Sequence, residues 1–134
     1  MFRSFFSQKP VPLSGTPAVR RLKTYSAQSG YAYQYFYEGH RPFRSGGARG
    51  TEFVFSFSAD RKSWRSTRVL LGDDAVGAWQ SAHQRELSST EQYAIAKMSL
   101  FQAFDDRPSP EQMRDEVRVQ NGGVDASMQT LGLE

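Results

Sequence analysis

Two stretches of this chain alternate cleanly between apolar and polar side chains. Tyr31, Tyr33, Tyr35 and Tyr37 fall on one parity, and Ala32, Gln34, Phe36 and Glu38 on the other. Phe53, Phe55 and Phe57 alternate in the same way with Val54, Ser56 and Ser58. A period of two marks strands with one buried face, so strands are expected over about Tyr31–Glu38 and Thr51–Ser58. Ala18–Ser26 and Trp64–Leu71 are Arg-rich and less regular, as edge strands often are. Ser29-Gly30 and Asp60-Arg61-Lys62 supply polar turns between neighbours.

The periodicity changes at Leu71-Gly72-Asp73-Asp74. Asp73 suits an N-cap and Asp74 adds favourable charge in the first turn. Val76, Trp79, Ala82, His83 and Leu87 then share one side of a helix. Ser89 with Gln92 has capping-box spacing for a second helix over about Thr90–Phe104, apolar around most of its circumference. Pro108 ends it. Ser109-Pro110 opens a short polar helix to about Val119, and Asn121-Gly122-Gly123 stops it. The expected fold is α+β: a four-stranded, mostly antiparallel sheet covered on one face by two helices, with flexible termini. Residues 1–17, with Pro10, Pro12 and Pro17, read as a flexible arm in which Phe2, Phe5 and Phe6 are too local to make a core. Residues 18–105 read as a single domain, and 106–134 as the short helix followed by a mobile tail.

The Tyr and Phe rows side by side would form one surface of seven rings. Exposed, it would resemble a stacking platform for single-stranded nucleic acid. The other faces carry Gln34, Glu38, Ser56 and Ser58, which make a poor core, and the apolar helices need a partner surface. The preferred reading is therefore an inner face, with the tyrosine row near the sheet margin and its hydroxyls reaching a groove.

Charge adds a second asymmetry. Residues 1–72 hold 12 Lys/Arg and 3 Asp/Glu (+9), whereas 73–134 hold 5 and 11 (−6), which together give the overall +3. The most cationic segment without strand periodicity is Gly39–Gly50, which is expected to be a long, pliable loop with Arg41, Arg44, Arg49 and His40. Guanidinium groups spaced by glycine pair with phosphates and stack on bases. The binding residues expected are Arg41, Arg44 and Arg49 for phosphate contact, and Phe43, Tyr35 and Tyr37 for stacking. The plainer reading is a solvated loop whose arginines pair with the acidic helices.

Little points to catalysis. The chain has no cysteine, which removes thiol chemistry and Cys-ligated zinc and suits a reducing, cytoplasmic setting. Its N-terminus lacks the apolar run of a signal peptide, and no stretch approaches the roughly 20 apolar residues of a membrane helix. The loop lacks the GxxxxGK[ST] form of a phosphate-binding loop. His83 and Glu86 share a helix face, but two ligands fall short of a zinc site. No enzyme, no cofactor and no metal are expected. The leading expectation is a non-enzymatic binding module for an anionic partner, with single-stranded nucleic acid as one form. The alternative is a structural or accessory subunit, in which basic and acidic surfaces meet another copy or an acidic protein surface.

Overall fold

The computed structural model describes residues 11–132. Within them, the strands are β1 (Lys23–Ser26), β2 (Ala32–Ser45), β3 (Ala48–Ser58), β4 (Arg65–Gly72) and β5 (Val117–Arg118). The helices are α1 (Asp73–His83), α2 (Ser89–Asp106) and α3 (Asn121–Leu131), with a 3-10 turn at Pro110–Arg114. One sheet runs in the order β1-β2-β3-β4-β5. Its first three junctions are antiparallel, whereas β4 and β5 run parallel. The α+β class is as expected, but the described residues form five strands and three helices rather than four and two.

The tyrosine and phenylalanine rows do lie side by side, with Tyr35 opposite Phe57 and Tyr37 opposite Phe55. The helices cover this face. Tyr33 stacks on Phe104 of α2 at 4.0 Å between ring centroids, and Tyr33, Phe55 and Phe104 are fully buried. Val69, Leu71, Ile95, Leu100 and Met113 complete the same core.

The first correction concerns residues Gly39–Gly50, which form no long loop. β2 continues to Ser45 and β3 starts at Ala48, so the pair is a long hairpin closed by Gly46-Gly47. Both glycines have positive φ (56° and 84°), as a tight two-residue hairpin turn of the right twist requires. Pro42 reads as a strand breaker, yet it faces only one neighbour, Thr51. β1 pairs with β2 no further than Tyr35, and proline is tolerated on an open edge.

A bulge between Tyr37 and Gly39 then shifts the parity of the strand. Gly39 (φ 132°) takes the strained position, and a side chain there would collide with the Ser14 carbonyl and the Thr16 hydroxyl. Beyond the bulge His40 faces Phe53 on the helix side, and Arg41 faces Glu52 on the other. Ser14 forms an isolated antiparallel bridge with His40, so residues 11–17 run partly along β2. Phe2, Phe5 and Phe6 lie outside the described residues.

The second correction is at the C-terminal end. Asn121-Gly122-Gly123 starts a helix rather than stopping one, and Val124 and Met128 of α3 are fully buried. Cap positions also differ. Gly72 precedes α1, with Asp73 and Asp74 in its first turn. Ser88, one residue earlier than expected, caps α2 in a capping box closed by Glu91.

Candidate functional site

The six residues expected to bind do not form one site. Arg41 lies on the sheet face away from the helices and donates Nε to Glu52 at 2.8 Å. Glu52 also accepts from Arg68 at 2.9 Å, Arg68 donates to Glu116 at 2.7 Å, and Glu116 holds Arg118. This ladder crosses β2, β3 and β4 to reach β5, and it neutralises Arg41 within the fold. Phe43 is half-buried, and its ring passes so close to Gly50 that a side chain there would collide with it and with the Leu71 carbonyl. Phe43 therefore packs across Gly50 rather than standing free.

Arg44 and Arg49 differ from Arg41. They are directly opposite each other at the end of the hairpin, both exposed. Neither has a carboxylate partner among the described residues. Like charges opposed on one face of an antiparallel pair repel, so this pair adds nothing to strand association. It does present two guanidiniums to a shared anion.

Tyr35 and Tyr37 are packed under α2. Tyr35 meets Phe101 edge-on at 5.6 Å, and Tyr37 lies against Tyr93 at 4.7 Å and hydrogen-bonds His40 Nδ1 at 3.1 Å. Burial, with a smaller contribution from Tyr93, pushes both hydroxyls up to about 12. Among the described residues this face offers no open stacking platform: Tyr33 and Tyr35 are buried rather than half-buried, and only Tyr35 and Tyr37 line a groove at its margin.

That groove forms where residues 15–22 leave the backbone ladder of β2, between the Lys23–Tyr35 pairing and the Ser14–His40 bridge, while Thr16 and Arg20 still reach Glu38. A pocket of about 270 Å³ opens there, lined by Pro17, Arg21, Lys23, Tyr35, Tyr37 and Tyr93 among others. Lys97 of α2 places its amine 5.9 Å from the Tyr35 ring centre and 5.8 Å from that of Phe101. Burial first, and the neighbouring Lys23 amine second, lower Lys97 below the ordinary lysine range. Lys97 is a functional candidate that the sequence reading passes over. Its only signal is a single cation inside the largely apolar run from Tyr93 to Phe101.

His83 stacks on Trp79 at 4.2 Å, its Nδ1 lies 3.0 Å from the Trp79 carbonyl, and its Nε2 lies 3.7 Å from Asp125. α1 ends at His83 and Gln84 turns left-handed (φ 50°), so Glu86 is not on the same helix face. Among the described residues no group of three or more His, Asp or Glu is placed to hold a metal ion. No helix of those residues is long and apolar enough to cross a membrane. The chain matches no protein-family model, and no curated protein or solved structure shows significant similarity to it.

Proposed function

We propose that this protein is a non-enzymatic binding module that grips an anionic polymer, single-stranded nucleic acid among them, with the end of the β2–β3 hairpin. One observation carries the reading: Arg44 and Arg49 are opposed, exposed and without a carboxylate among the described residues, while Arg41, Arg68 and Arg118 are each satisfied internally. Guanidinium forks match phosphate oxygens in geometry, and each phosphate neutralised releases condensed counterions. With Tyr35 buried and Phe43 folded over Gly50, the contact is to phosphate rather than to stacked bases. Recognition is then tolerant of sequence. A chain free of cysteine suits work in a reducing compartment such as the cytoplasm.

The test is the affinity for a fluorescein-labelled single-stranded oligonucleotide, read by anisotropy at low salt. Arg44→Ser with Arg49→Ser is expected to weaken binding at least about tenfold, the equivalent of roughly 1.4 kcal/mol. Equal affinity of the two proteins would overturn the assignment to the hairpin.

A second reading, an accessory subunit of a protein assembly, draws on a different surface. Val19 (71% exposed) and Leu22 (56% exposed) precede β1, which is an outer strand of the sheet among the described residues. An outer strand flanked by exposed apolar side chains is suited to pairing with another chain. Light scattering across ionic strength separates the readings, since assembly through these residues predicts an oligomer without bound nucleic acid.

A further inference from the structure

We propose that the pocket between β2, α2 and residues 17–23 is a separate binding site for a small organic anion, a flat ring carrying a phosphate or carboxylate group. Three cations gather at it, Arg21 and Lys23 in its lining and Lys97 above the Tyr35 ring. None of them has a carboxylate partner among the described residues. Two lysine amines brought together beside aromatic rings repel each other and lose hydration, and an anion seated between them relieves both penalties. The rest of the lining is aromatic. Tyr37 and Tyr93 lie 4.7 Å apart by ring centres and provide a surface against which a flat ring packs.

The volume of about 270 Å³ suits a molecule of one ring and one charged group rather than a polymer. Along β2 the pocket is bounded by the Lys23–Tyr35 pairing at one end and the Ser14–His40 bridge at the other, which limits the length of ligand that can lie along it. The site shares no residue with the hairpin arginines and stands or falls independently of them.

The probe is phenyl phosphate, with inorganic phosphate and phenol as controls, followed through the side-chain Cε–Nζ resonances of Lys23 and Lys97. Phenyl phosphate is expected to shift both lysines and to bind at least about tenfold more tightly than either control. Lys23→Met with Lys97→Met keeps the apolar stems and is expected to abolish the binding; Lys97→Gln alone serves if the double variant does not fold. Unchanged affinity in these variants overturns the proposal. So do the absence of any lysine shift up to about 10 mM phenyl phosphate, and equal binding of phenyl phosphate and phenol.

Discussion

Glu52 is 4% exposed and sits between Arg41 and Arg68, accepting a charge-assisted hydrogen bond from each. Replacing it with alanine removes the carboxylate partner of Arg41 and leaves Arg68 with Glu116 alone. A fully buried pair broken in this way costs about 3–5 kcal/mol, but both arginines here reach water, which reduces the penalty to about 2 kcal/mol. Urea unfolding of Glu52→Ala should show that loss, and undiminished stability would mean the ladder is only solvated surface. Tyr35 and Tyr37 give a second residue-level expectation. Their hydroxyls ionise in the folded protein only near 12, whereas tyrosine in an unfolded chain ionises near 10. The folded state therefore holds its protons longer. The stability this contributes is fully present below pH about 10 and is lost as pH rises towards about 12, by about 2 kcal/mol for each tyrosine. Unfolding midpoints at pH 8 and pH 11 capture about half of this loss, and Tyr35→Phe should shrink it.

The elements differ in how openly the sequence declares them, and the differences have physical causes. The aromatic strands are plain because their period of two survives from Tyr31 to Tyr37 and from Phe53 to Phe57. The hairpin beyond them is hidden. The bulge at Gly39 shifts the alternation by one residue, and Pro42 and four glycines imitate a loop. α3 is hidden by its first turn alone: Val124, Ser127, Met128 and Leu131 follow helical spacing, but Asn121-Gly122-Gly123 looks like an end. β5 has two residues and is made only by its pairing with Val69 and Leu70, a contact with no local signature. The start of α2 is legible to within one residue. Ser88 accepts from the Glu91 N–H, and Glu91 in turn accepts from the Ser88 N–H and from Arg85. Ser88→Ala should cost about 1 kcal/mol by thermal or urea unfolding. The hydrogen bond from Arg85 is the main cause holding the Glu91 carboxyl down at about 2, against 4.5 without these partners. The stabilisation from this box is therefore present above pH 4.5 and fades as acid takes the pH towards 2. A stability curve of Glu91→Gln that is flatter than the parent's over that range checks the direction.

Across the molecule as one body, the split between a basic front and an acidic back is only partly resolved by folding. Glu116 reaches forward to Arg68, and Asp105 is occupied by the Tyr25 hydroxyl and the Gln28 N–H rather than by an arginine. Arg107 is spent on the carbonyls of Gln112, Asp115 and Glu116. Of the cations described in the basic front, Arg20, Arg41 and Arg68 have carboxylate partners, whereas Arg21, Lys23, Arg44, Arg49, Arg61, Lys62 and Arg65 keep none among the described residues. The segment Gly39–Gly50, with Arg44 and Arg49 in it, is legible in the sequence as a candidate binding region, but which of its arginines stay unpaired is not. Which arginines are satisfied depends on strand register, which sets Arg41 against Glu52 and Arg44 against Arg49. Oligonucleotide affinity measured as a function of salt tests this picture most directly. With both hairpin arginines engaged on a single strand, log K should fall against log salt with a slope of at least about −1.4, at about −0.7 per phosphate contact. Arg44→Ser with Arg49→Ser should remove about that much of the slope. No binding at low salt, or a slope untouched by the double substitution, would contradict it.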